Sequence, residues 1–132
     1  MVTNETKSSL KMAIEKLRIA EFELYRPSED VETLSVCLTA HQYMGAMMRA
    51  FLLSKSIDHN EEESLENLLN HCKSVDNEFE NISFSNIFCC QLNQAECENN
   101  YCLSIEKVNN CMTVANQVKL IILNNLELSE LE

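Results

Sequence analysis

One glycine and one proline in 132 residues leave this chain almost no means of making the tight reversals a sheet needs. Hairpin turns draw on Gly, Asn or Asp, with β-branched residues alternating between them. The one strongly alternating stretch, residues 82–88, is short. Elsewhere the apolar residues recur three, four and seven apart, the period of a helix that buries one face. The expectation is an all-α fold: an up-and-down bundle of four long helices plus a short additional helix. The length suits one domain, residues 1–132, with an ordered core over about 6–126.

The longest such segment, residues 28–57, reads as the spine of the bundle. Val31, Leu34, Leu38, Met44, Met48, Phe51 and Leu52 set its stripe. Ala40, Gly45, Ala46 and Ala50 lie among them, small enough to let neighbouring backbones approach, and methionine fills irregular gaps. Before it, residues 6–25 form a helix on Leu10, Ala13, Ile14, Leu17, Ala20 and Leu24, and Pro27 breaks the chain. Ser28 is the expected cap of the spine. A third helix over residues 61–74, capped by Asn60 in a capping-box pattern with Glu63, buries Leu65, Leu68, Leu69 and Cys72. Val75 and Phe79 extend that stripe. A short helix is expected over 85–97 and the last long one over 103–126. Its end carries more apolar residues than one stripe needs: Leu120, Ile121 and Leu123. They mark either a dimer seam or an end set deeper in its own bundle. Residues 1–5 and 127–132 are expected to fray.

Charge narrows the function. Twenty-one acids against ten bases give a net charge of −11 at pH 7. Binding to a nucleic-acid backbone rests on clustered Lys and Arg, and here only Lys7, Lys11, Lys16 and Arg18 gather. The same balance argues against anionic membranes, and no stretch reaches the length of a span. No apolar leader precedes the first helix, and seven cysteines form no regular framework, so a cytoplasmic protein with buried free thiols is expected.

Residues 40–52, reading Ala-His-Gln-Tyr-Met-Gly-Ala-Met-Met-Arg-Ala-Phe-Leu, resemble the second helix of HEPN-domain proteins. Gln42 and the Arg49-Ala50 pair carry the likeness. Residues 64–72 are similar to that family's Leu-rich third helix, with Asp76 and Phe79 following, and Ala115 and Val118 fit its last helix. The resemblance implies a compact helical bundle that often pairs as a homodimer. It also implies RNase activity where an Arg is followed, four to six residues later, by a His near the start of the last helix. This chain departs there. Its arginines are Arg18, Arg26 and Arg49, its histidines His41, His59 and His71, and no pair has that order and spacing. RNA cleavage without a metal needs a base for the 2′-hydroxyl and a cation for the phosphate. The resemblance therefore implies a non-catalytic module that binds a protein partner, such as a minimal nucleotidyltransferase or a second copy, or a small nucleotide-like ligand.

On the spine, Arg49, Tyr43 and His41 are the polar groups able to meet a phosphate or carboxylate, and they are the expected ligand-binding residues. The competing role for Arg49 is an ion pair with a glutamate of the first or third helix. Cys37 and His41, four apart, can place two ligands on one metal, and His71-Cys72 or Cys89-Cys90 could add others. No Cys-x-x-Cys occurs, and no Glu-x-x-His pair faces inward as a di-metal bundle would need. A Cys37–His41 nucleophile pair would also need an orienting group and a cleft. The expectation is thus core cysteines, no metal, no cofactor and no catalytic residue. Two alternatives stand beside the binding module: a divergent metal-independent RNase using Arg49 with His41 or His71, and an acidic structural or chaperone-like bundle whose glutamates at 61–63 and 127–132 hold a basic client.

Overall fold

The structure, a computed structural model, describes residues 3–25, 33–57, 64–83 and 105–131. It is an all-α bundle of α1 (Asn4–Glu23), α2 (Thr33–Ser54), α3 (Leu65–Val75) and α4 (Ile105–Leu126). Among the described residues two 3-10 turns, Asn77–Asn81 and Ser129–Leu131, accompany the helices. Among the described residues there is no strand. Three helices are long, at 20, 22 and 22 residues, whereas α3 has only 11, so the expected four long helices become three and one short. The helix expected over 85–97 and the Ser28 cap lie outside the described residues.

α2 is the hub, packing against α1, α3 and α4. The reason is its composition. Val36, Cys37, Ala40, Met44, Met47, Met48, Phe51 and Leu52 are all buried, and at 100° per residue they span an arc of about 160°. An apolar arc that wide is broader than one neighbouring helix can cover, so several helices pack on it. Gly45 is a point of close approach. A Cβ there would sit 3.2 Å from Arg49 Nη1 and 3.3 Å from Leu65 Cδ2, so the missing side chain is what lets α3 and the Arg49 head reach this turn.

Local chemistry sets the ends. Thr3 caps α1, its hydroxyl accepting from the Thr6 amide, so the helix starts two residues before the expected Thr6. Ser64 caps α3 by accepting from the Asn67 amide; the predicted cap Asn60 lies outside the described residues, and the helix begins only at Leu65. Such a cap contributes about 1 kcal/mol. Asp76 ends α3 in extended geometry and starts the first 3-10 turn, its carboxylate accepting from the Glu78 amide at 2.9 Å and from Asn125 Nδ2 at 2.7 Å. Phe79 is therefore buried by this turn and not by an extension of the helical stripe.

α2 and α4 both end in a Schellman motif. The Ile57 amide donates to the Leu52 carbonyl and that of Leu128 to the Leu123 carbonyl, each at 2.9 Å. Glycine usually takes the left-handed position of this motif; here Ser56 and Glu127 do, each at φ 57°. The second motif folds the tail back. Leu128 is 4 % exposed and the Ser129–Leu131 turn contacts α1 and α4, so the tail expected to fray from Glu127 is ordered through Leu131. Of the apolar excess on α4, Leu123 is buried, Ile121 packs partly buried against the core and Leu120 is exposed.

Candidate functional site

Arg49, Tyr43 and His41 do not converge. Positions 41, 43 and 49 of a helix project in different directions, and each meets a different neighbour. Tyr43 lines a cleft of about 300 Å³ between α1 and α2, shared with Lys16, Ile19, Glu23, Thr39 and Gln42. Arg49 lies half-buried over Gly45, beside Leu65 of α3. Its Nε is buried with no hydrogen-bond partner, and among the described residues it makes no ion pair with a glutamate of α1 or α3. His41 turns to α4. The expected single ligand site is thus three separate places.

His41 gives the most informative of them. At 2 % exposure it is the one buried polar or charged residue among those described. A polar ring in an apolar core is costly without a compensating contact. Its own helix supplies part of that contact: Cys37 lies four residues earlier, one turn away on the same face. The rest comes from α4, where Val108, Cys111, Met112 and Ala115 form the buried stripe. Cys111 Sγ stands 3.6 Å from His41 Nε2 and 3.8 Å from Cys37 Sγ. The three ligating atoms all lie within 4.8 Å of one another.

Sequence spacing brought Cys37 and His41 together and missed Cys111, which is 70 residues from His41. Its only local signal is its place on the buried stripe of α4, which every core residue of that helix shares. The other partners weighed for a metal do not join. Cys72 is buried against the α3 side of the core, where burial pushes its thiol up to about 12, keeping it neutral and unreactive. Half-buried His71 is not in the group, and Cys89 and Cys90 lie outside the described residues. Chemically, two thiols and an imidazole at these distances can share protons or hold a soft cation. With both sulfurs at 0 % exposure they are poorly placed to attack a substrate from solvent.

The surface carries a second feature. Met12, Ile19 and Phe22 are exposed along the outside of α1 and Tyr25 just beyond its end, Ile19 and Phe22 each at 63 %, and the Phe22 and Tyr25 rings lie 6.3 Å apart. Ile19 also lines the α1–α2 cleft, so apolar face and cleft are continuous. α1 holds four acids and four bases, which leaves the whole net charge of −11 on the rest of the chain. No helix among the described residues is long and apolar enough to cross a membrane.

No protein-family model matches this chain, and neither does any curated protein or solved structure.

Proposed function

We propose that this chain is a non-catalytic binding module of the HEPN-like kind that pairs through the outer face of α1, first of all with a second copy of itself. The observation that carries the reading is the apolar face of Met12, Ile19 and Phe22 on α1, with Tyr25 just beyond its end, on a helix whose four acids and four bases cancel. Two copies bearing −11 each repel over most of their surfaces. Contact through α1 brings together a surface that adds no net charge to that repulsion, and covers side chains that gain by leaving water. Sequence adds its support: Gln42 and Arg49-Ala50 carry the family likeness, and the Arg–His pair of the active members is missing. A heterologous partner such as a minimal nucleotidyltransferase would compete for the same face.

Analytical ultracentrifugation tests this reading. The expected result is a dimer at micromolar concentration that becomes a monomer in Ile19→Glu and in Phe22→Glu, with helicity unchanged. A wild-type monomer, or a dimer indifferent to both substitutions, overturns it. The α1–α2 cleft favours a second reading, a small nucleotide-like ligand held by Lys16 with Gln42 and Tyr43. Its volume of about 300 Å³ is at the low end of ligand sites. Retention of a nucleotide-sized mass in native mass spectrometry, lost in Lys16→Ala, would support it. RNA cleavage lost in Arg49→Ala would restore the RNase alternative, and a salt-sensitive complex with a basic client the chaperone-like one.

A further inference from the structure

We propose that Cys37, His41 and Cys111 form a zinc site that ties α2 to α4 inside the bundle. Three independent properties of the cluster support it.

Geometry comes first. Zinc binds thiolate sulfur at about 2.3 Å and imidazole nitrogen at about 2.0–2.1 Å, in tetrahedral array. Those lengths place two ligating sulfurs about 3.8 Å apart, and a sulfur and a nitrogen about 3.6 Å apart. The distances found are 3.8 Å for Cys37 Sγ to Cys111 Sγ and 3.6 Å for Cys111 Sγ to His41 Nε2. The third edge of the triangle stays within 4.8 Å. Without a metal, a thiol–imidazole contact keeps the same atoms in place, so the site is preorganised.

Charge is the second property. The cluster is at most 2 % exposed, where an unbalanced charge is expensive. One Zn²⁺ with two thiolates and a neutral imidazole has no net charge. Cu(I) with the same two thiolates would leave a buried negative charge. Binding releases the two thiol protons to solvent, so the balance closes at two protons freed per zinc bound. Three protein ligands leave the fourth tetrahedral position to water.

Ligand identity is the third. Thiolate and imidazole are the donors zinc prefers. They are also the polar groups in a region otherwise lined by Val36, Ala40, Met44, Val108, Met112 and Ala115. An apolar pair would fill that space with no polar atom to satisfy. The site is independent of the α1 face, and either proposal can fail alone.

Cobalt and zinc titration of the reduced, metal-free full chain tests the proposal. Co(II) is expected to bind one to one and to give thiolate-to-cobalt charge-transfer absorption with the visible bands of a four-coordinate ion, all erased by Zn(II). Cys37→Ala and Cys111→Ala should each weaken zinc more than about 100-fold, since loss even of a ligand's outer partners costs roughly 10–100-fold. Cys72→Ala, and a variant with Cys89, Cys90, Cys97 and Cys102 all changed to Ser, should keep full affinity. Should the core variants fail to fold, zinc-edge X-ray absorption on the unmutated protein gives the answer without them: two sulfurs and one imidazole nitrogen support the site. No cobalt charge-transfer band, a band that survives joint loss of Cys37 and Cys111, a four-sulfur shell, or retention of Cu(I) but not zinc would each overturn it.

Discussion

The two halves of α2 are equally buried and chemically unlike. Towards its start, Cys37, Ala40, His41 and Met44 are buried, and Cys37 and His41 meet Cys111 of α4. Further on, Met48, Phe51 and Leu52 are equally covered, and Phe51 meets the Phe79 ring of the 3-10 turn at 5.3 Å and 48°. That tilted ring pair is in the favourable aromatic range, and nothing in it is polar. Burial alone therefore says little about what a core residue is for. The aromatic half is a matter of packing, and its strength should be indifferent to ions and mild acid. The thiol–imidazole half holds groups whose protonation and ligation can change while the backbone stays in place.

The largest expected effect breaks the aromatic half. Phe51→Ala should destabilise the fold by about 3–5 kcal/mol, from lost transfer free energy and the cavity left against Phe79. Urea unfolding reads it as a lower midpoint, with the same loss whether or not zinc is present. A loss that zinc repairs would mean that the two halves are one unit.

Next comes zinc itself. At about a hundredfold excess over its dissociation constant, a ligand bound only by the folded state adds about 2.7 kcal/mol. Thermal unfolding should show that increment in the wild type and in Cys72→Ala, and lose it in Cys111→Ala. Cys72→Ala should cost roughly 1 kcal/mol of its own through a small cavity. An increment lost in Cys72→Ala would erase the distinction between a packing cysteine and a ligating one.

Acid separates the halves by another route. The Glu78 amide, then the Asn125 amide and the positive charge of Lys55, hold the Asp76 carboxyl below its usual range. A carboxyl whose folded pKa is depressed adds stability that is fully present above its unfolded pKa, about 3.9, and is lost as pH falls through the lower folded value. The Asp76 contribution should therefore persist to about pH 4 and vanish only in stronger acid. Asp76→Ala should remove that arm and cost about 1 kcal/mol at neutral pH through the lost cap. As pH falls, zinc stabilisation should fade before the Asp76 contribution does, because protons compete for the two thiolates. Stability measured against pH, with and without zinc, should show two separated arms; a single merged arm would contradict the assignment of the higher one to the metal.

The smallest effects belong to the backbone, and should treat both ends alike. Ser56 and Glu127 occupy the left-handed position at the ends of α2 and α4. Replacing either with Gly relieves side-chain strain of about 1–2 kcal/mol, partly offset by the greater freedom of glycine in the unfolded chain. Each substitution should gain about 0.5–1 kcal/mol in urea unfolding. A gain at one end only would show that something besides φ holds the other.

Much of this was legible in the residues before any neighbour was known. The scarcity of Gly and Pro argued against sheets, and among the described residues there is no strand; the apolar period placed α1, α2 and α4 within a few residues of their ends. Leu10, Ala13, Ile14 and Leu17 were read as core and are core. The pairing of Cys37 with His41 was also legible, because four residues make about one turn of any helix. Less was legible where one element hands over to the next. Phe79 is buried through a 3-10 turn that Asp76 initiates, and Leu128 through a Schellman motif with no glycine to announce it.

What the sequence determined by itself was local. Helical character, buried faces and the Cys37–His41 step follow from 100° per residue and from caps acting within one turn. Tertiary structure alone decided that Cys111 arrives at His41, that Tyr43 opens onto the α1 cleft while Arg49 covers Gly45, and that Ile19 and Phe22 stay uncovered. Those outcomes depend on how far one helix slides along another. A slide of one turn is about 5.4 Å, and it changes which side chains meet without changing which face of either helix is apolar.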